Sequence, residues 1–253
     1  MNVPLGSIRI ATWNLDKVQP GEGARATRIR TELATVDPDV IVLTESHPAF
    51  APSADHALAS VSDPAPDRLD GQRWVCIWVR SGWAFDAPKL SGEPERTAAA
   101  RVTAASGRHL IVVGSVLPWR GDTRYSAARG AEAFVRSLTA QATDWEMLRR
   151  RHRGSAFCIA GDFNQEMTAA RPVGTRLGRE HLTEQLRRDG LRCLTAGDGD
   201  PLLRRGWRAS IDHIVVDVDL AARASVCTAW PDKFPAPRKV SDHHGVWADI
   251  GTS

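Results

Sequence analysis

The chain has 253 residues, 42% hydrophobic and 25% charged, with a formal net charge of +3. That balance excludes a disordered or strongly charged chain and suits a globular protein long enough for one large core. Apolar runs never reach the length of a membrane-crossing helix, and Cys76, Cys158, Cys193 and Cys227 are widely spaced with no CxxC, so neither a membrane span nor a disulfide or cysteine–zinc framework is expected.

The opening MNVPLGSIRIATWNLD has no basic segment leading into a long apolar one. No signal peptide is read there, and a cytoplasmic location is expected. IRIATWN (8–14) reads as the first strand. GARATRIRTELATVD (23–37) reads as a helix with Ile29, Leu33 and Val36 near one face. DVIVLTES (39–46) is the second strand, and Pro38 before it fits a helix-to-strand junction. The run 45–73, rich in Pro, Ala and Asp, reads as a groove wall in which no side chain declares a ligand. Strands follow at 73–79, 98–104 and 109–117. A long helix is expected over 126–152, with Ser126 as N-cap and Ala131, Phe134, Leu138 and Trp145 at helical spacing. After it come a strand at 155–164, a short helix at 179–188, and strands at 210–216, 223–230 and 245–250. Length and β-branched content decide these short apolar runs for strand. The pattern suggests two packed sheets with helices outside. With no repeat, linker or break in composition, one domain over 1–253 is expected.

Polar residues fall where strands end. Asn14 ends the first strand, Glu45 the second, and Asp162 and Asn164 the strand before them; Asp212 interrupts an apolar strand, and Asp242 and His243 precede the last one. Adjacent strand ends can bring such residues into one cluster on a rigid scaffold. A set of hard oxygens with one imidazole suits Mg²⁺ or Mn²⁺ rather than zinc. Each residue also has a plainer reading alone. Asn14 could cap a turn, Asp162 and Asn164 could be turn formers, and Glu45 could be an exposed strand end. Asp212 is harder to dismiss, because a buried carboxylate needs a partner.

ATWNLD, VIVLTES, AGDFNQ, SIDHIVV and SDHHGVW resemble, in order, the motifs of the endonuclease/exonuclease/phosphatase superfamily, over residues 8 to about 250. The resemblance implies an α/β fold, a four-layer α/β/β/α sandwich of two packed mixed sheets flanked by helices. It implies a Mg²⁺- or Mn²⁺-dependent phosphoesterase. Asn14, Glu45 and Asp242 would serve the metal. Asp162 would activate water, and Asn164 would donate to a phosphoryl oxygen. The family's histidine follows the Asp, which selects His243 over His244 and pairs it with Asp212. The chain departs from the family near 115–117, where Ser115, Val116 and Leu117 stand in place of a Tyr or His. Trp119 or Arg120 from the next loop would compensate. Arg96, with Arg101 second, is the candidate for a phosphate-binding arginine. Trp207 stands two residues too early to match the aromatic of abasic-site enzymes.

The leading expectation is a monomeric nuclease on DNA or RNA. The alternatives are a phosphatase or phosphodiesterase on a small-molecule or lipid head-group phosphoester, and a non-catalytic scaffold of the same fold.

Overall fold

Twelve strands in two six-stranded mixed sheets make up the centre of the computed structural model, which describes residues 7–21, 23–69, 71–104, 107–122, 130–168, 173–231 and 240–251. The first sheet has the order β11-β12-β1-β2-β4-β3, with β1 (Ser7–Asn14), β2 (Val40–Ser46), β3 (His56–Val61), β4 (Arg73–Arg80), β11 (Ala224–Trp230) and β12 (Gly245–Gly251). The second has the order β5-β6-β7-β8-β10-β9, with β5 (Ala84–Asp86), β6 (Thr97–Thr103), β7 (His109–Val116), β8 (Ala156–Asp162), β9 (Leu191–Cys193) and β10 (Asp212–Asp217). Each sheet has one parallel pair, β1–β2 and β7–β8, and is otherwise antiparallel.

The period-2 alternation of the strands builds the layers. Ile8 and Ile10 of β1, Val40 and Val42 of β2, Cys158 and Ala160 of β8, and Ile214 and Val216 of β10 turn into the core between the sheets. Their neighbours turn outward. Ala11, Trp13, Ile41 and Leu43 pack under α1 (Gly23–Val36), which buries Ala26, Ile29, Leu33 and Val36. Phe157, Ile159 and Val215 pack under α2 (Ala131–Arg151) and α3 (Arg176–Arg188) through Phe134, Leu138, Trp145, Leu182 and Leu186. Each fully buried side chain of this size contributes about 1.5–3 kcal/mol of burial. The result is the four-layer α/β/β/α sandwich expected from the motifs.

All nine expected strands form. The structure adds β3, β5 and β9, and each is an edge strand of its sheet. These three are short or half-exposed, as β5 with all three residues exposed shows, so no buried apolar run marks them. It also adds a one-turn helix, α4 (Val218–Ala221). Helix α2 begins at Ala131 after Gly130, whose φ of +59° favours glycine; the expected cap Ser126 lies outside the described residues. Helix α3 starts at Arg176, earlier than expected, because Thr175 is its N-cap and accepts from the Gly178 N–H. Among the described residues, no helix is long and apolar enough to cross a membrane.

Candidate active site

Three of the expected residues continue the inward rows of the inter-sheet core. Asn14 ends the row of Ile8 and Ile10, Asp162 ends the row of Cys158 and Ala160, and Asp212 begins the row of Ile214 and Val216. All three are almost fully buried. The rows end at one rim, so the core that holds the sheets together also aims these polar groups. Gly161 fits this crowding: a Cβ there would lie 2.0 Å from the Ser115 carbonyl oxygen. Glu45 would share the outward face of Ile41 and Leu43 if the pleat continued. Its φ of +46° breaks the pleat, and its carboxylate instead meets Asn14. Non-glycine residues with positive φ among the described residues are Asp16, Lys17, Asp37, Glu45 and Asn164. Four of these line this rim, where backbone strain of about 1–3 kcal/mol each is held by the surrounding structure.

One chain of hydrogen bonds runs along the rim. The Asn14 amide donates to Asp162 Oδ2 at 2.9 Å and to Glu45 Oε1 at 3.2 Å, while its oxygen accepts from the Asp16 N–H at 2.8 Å. This network fixes the orientation of the amide, so Asn14 meets the cluster as a donor. Asp162 Oδ1 accepts from the Asn164 N–H, and the Asn164 side chain donates to the Leu117 carbonyl at 3.0 Å, which leaves its second amide hydrogen for another acceptor. His243 Nδ1 donates to Asp212 Oδ2 at 2.6 Å. The other oxygen of Asp212 is buried with no hydrogen-bond partner among the described residues. His244 turns away and packs its ring on Trp207, with centroids 5.0 Å apart. The structure therefore brings His243, and not His244, to the carboxylate cluster.

Electrostatics follow from burial and pairing. Burial pushes the Asp162 carboxyl up to about 7, and Asp212 across the ladder adds to the shift; His243 and the Asn164 and Asn14 donors oppose it. Burial lowers the His243 imidazolium, but the charges of Asp212 and then Asp162 overcome this and raise it to about 10. Near neutrality the site holds an imidazolium beside a carboxyl poised to gain or lose a proton.

Asp162, Asp212 and His243 come within 4.8 Å of one another, a grouping that could in principle hold a metal. The short His243–Asp212 bond places a proton between two of them, which fits acid–base work better than metal binding. Glu45, Asp16 and Asp242 stand outside that grouping. Burial and then the charges of Asp242 and Glu45 raise the Asp16 pKa, a sign that these carboxylates feel one another. The Asp16 and Asp242 side chains are 43% and 65% exposed, so water reaches them. Hard oxygens with access for water suit a hydrated divalent cation. Basic groups stand at the same end, Arg25 Nη2 at 4.0 Å from Asp16 Oδ2 among them. Arg68 Nη1 donates to Glu45 Oε2 at 2.8 Å, and Lys17 Nζ lies 3.9 Å from that oxygen. Arg68 belongs to the run 45–73, in which the sequence declared no ligand.

Arg96 is 1% exposed, is paired with Asp122 and lies over the Trp74 ring at 4.5 Å. Arg101 stands 3.6 Å from Asp86 on the edge strand. Ser115 donates to Gln141, and Val116 and Leu117 are core, so none of the three replaces the missing Tyr or His. Trp119 and Arg120 are exposed, two and three residues beyond the carbonyl that holds Asn164. The largest cavity among the described clefts, about 620 Å³, is lined by His109, Leu110 and Ala156 at the starts of β7 and β8, the end of the sheets away from this rim.

A model of the Endonuclease/Exonuclease/phosphatase family matches residues 11–243. No curated protein matches the chain by sequence. Among solved structures, an AP endonuclease from Leishmania major superposes with a TM-score of 0.73 at 16% identity, covering 99% of this chain and 89% of that one. A 3′-5′ exonuclease from Neisseria meningitidis gives 0.65 at 20% identity, covering 96% and 100%. A mannosyl-6-phosphatase from Bacteroides thetaiotaomicron gives 0.68 at 14% identity, covering 96% and 99%. At these identities the structures establish the shared fold.

Proposed function

Because the chain belongs to the endonuclease/exonuclease/phosphatase family, a family of hydrolytic nucleases and phosphatases, we propose that it is a Mg²⁺- or Mn²⁺-dependent phosphodiesterase acting on nucleic acid. One observation carries the reading. The buried pair His243–Asp212 and the chain Asp162–Asn14–Glu45 share one rim, with a water-accessible acidic group beside them. A scaffold that had lost its activity would have no use for a strained rim of buried, mutually charged groups.

Each residue then has a role set by its surroundings. Asp162 takes the proton of the attacking water, since its raised pKa matches that task. His243 stays charged on Asp212 and donates to the phosphoryl oxygens as negative charge grows. Asn164 supplies its remaining amide hydrogen to the same group. Asn14 holds the Glu45 and Asp162 carboxylates in register. Glu45, with Asp242 and Asp16, would hold the divalent ion, which when bound polarises a phosphoryl oxygen and steadies the leaving oxygen.

The nucleic-acid assignment rests on what surrounds the rim. Lys17, half exposed, places positive charge at one end, and Trp119 offers an exposed ring two residues beyond the Leu117 carbonyl that holds Asn164. Backbone phosphates and base faces are what such groups recognise. The test is hydrolysis of bis(p-nitrophenyl) phosphate with Mg²⁺, Mn²⁺ or EDTA, followed by plasmid DNA, RNA, abasic duplex, inositol phosphates and sphingomyelin. Metal-dependent cleavage of a nucleic acid is expected. Cleavage confined to the small phosphoesters would replace the nuclease reading, and no cleavage of any substrate would remove the enzyme.

A further inference from the structure

The Glu45 carboxylate is held unequally. Oε1 meets only the long 3.2 Å contact from Asn14 among the described residues. Oε2 accepts from Arg68 at 2.8 Å and has Lys17 at 3.9 Å. We propose that Arg68 selects the cation of this site, by holding one oxygen of Glu45 so that only the other is offered to a metal. The proposal rests on the metal-dependent reading above and deepens it.

Arg68 is well placed for a fixed hold. Its guanidinium carbon lies 3.6 Å above the Trp74 ring, and its side chain is 10% exposed. Its Nε is buried and has no hydrogen-bond partner among the described residues. Trp74 is itself buried in β4, with Arg96 also over its ring. The loop that carries Arg68 is tied down on both sides. The Arg68 N–H donates to the Ala65 carbonyl, and the Gln72 N–H donates to the Leu69 carbonyl. Gly71, with φ +76°, passes so close to His47 that a Cβ would lie 2.2 Å from the imidazole. If Arg68 let go of Glu45, a nine-tenths buried guanidinium would be left with the longer 3.9 Å contact of its Nη2 with Asp67, a costly change. The hold on Oε2 therefore persists when Oε1 is engaged.

The consequence is chemical. Mg²⁺ and Mn²⁺ accept a carboxylate through one oxygen and keep several waters. Ca²⁺ is larger, takes more oxygens and gains from a carboxylate that offers both. A Glu45 limited to one oxygen suits the smaller ion. Arg68 is thus a positioning residue: it acts through Glu45. Lys17 is half exposed and farther away, so it tunes charge without fixing geometry.

The experiment measures metal binding by calorimetry on the full chain without substrate, for Mg²⁺, Mn²⁺ and Ca²⁺ in turn. The unaltered protein should bind Mg²⁺ more tightly than Ca²⁺. Arg68→Ala, and Arg68→Met, which keeps packing on Trp74, should shift the ratio of the two dissociation constants toward Ca²⁺ by about tenfold or more. Arg68→Lys should keep part of the preference. Lys17→Ala should move both constants together and leave the ratio nearly unchanged. Melting curves establish that each variant is folded. An unchanged ratio in either folded Arg68 variant, or equal affinities in the unaltered protein, overturns the proposal while leaving the metal-dependent reading intact. No Mg²⁺ or Mn²⁺ binding by the unaltered protein would remove both.

Discussion

Asp162 and Asp212 are direct partners across the antiparallel β8–β10 ladder, two carboxylates opposed at the buried end of the inter-sheet core. Like charges opposite one another on a sheet destabilise it. The fold tolerates this pair because His243 lies against Asp212 and Asn14 against Asp162.

Activity and stability should therefore pull against each other at Asp162. Its pKa is raised from 3.8 to about 7 in the folded chain. Between these values the folded state binds more protons than the unfolded state, so this group's contribution to stability falls as pH rises through that window and stays low above it. Asp162→Asn should abolish turnover and, at pH 8, raise the melting temperature. A gain of roughly 1 kcal/mol corresponds to about 2–4 °C for a chain of this size. The gain should vanish below pH 4. In the unaltered enzyme, kcat/KM should rise through pH 7 to a plateau above it and fall again near pH 10, where His243 loses its proton. A variant no more stable at pH 8 than at pH 4 relative to the parent would count against the shifted carboxyl.

The two adjacent histidines should separate cleanly. His243→Ala removes the imidazolium on Asp212 and should lower kcat by about 10²–10⁴-fold. His244→Ala removes a ring packed on Trp207 and should leave most of the turnover. Asp212→Asn should reproduce much of the His243 loss, because the imidazole loses the charge that orients it and keeps it protonated. Single-variant kinetics at saturating Mg²⁺, with circular dichroism as the folding check, decide the matter. A dead His244 variant beside an active His243 variant would reverse the assignment.

How much of this was legible in the sequence depends on the kind of signal. Rows such as Ile8, Ile10 and Asn14, or Ile214, Val216 and Asp212, show alternation and a polar end, so the strands and the rim could both be read from them. The edge strands β3, β5 and β9 could not, since they are short or half-exposed and leave no buried apolar run to read. Arg68 was illegible for a different reason. Its function comes from stacking on Trp74 and reaching Glu45, contacts across 6 and 23 positions that no local pattern encodes. Asp16 was visible within ATWNLD but carried no signal of its own until Glu45 and Asp242 were seen to share its surroundings.

Arg96 was expected to hold a phosphate, and its setting points to a structural effect on substitution. It is fully buried, paired with Asp122 and packed on Trp74. Breaking a buried ion pair from one side costs about 3–5 kcal/mol. Arg96→Ala should therefore lower the melting temperature markedly, and Arg96→Lys should do so less. In the folded fraction of either variant, KM for bis(p-nitrophenyl) phosphate should change little. A large rise in KM with an unchanged melting temperature would return Arg96 to the substrate.

Trp119 should mark whether a base stacks at this rim. It is 56% exposed, and its ring lies over Gly121, where a Cβ would come within 2.3 Å of ring carbons. It also stands two residues beyond Leu117, whose carbonyl fixes Asn164. A ring held at this place can take the face of a base next to the scissile phosphate, an interaction of about 1–3 kcal/mol. Trp119→Ala should therefore raise KM for single-stranded oligonucleotides by roughly tenfold while leaving kcat on bis(p-nitrophenyl) phosphate unchanged. Gly121→Ala should have the same effect, because the added methyl pushes the ring from its seat without removing it. Leu117 and Asn164 are untouched in both variants, so the chemistry on the small substrate serves as the internal control. Equal KM values for oligonucleotide in parent and variants would mean that Trp119 contributes nothing to binding, and the nucleic-acid assignment would then rest on the charge of Lys17 alone.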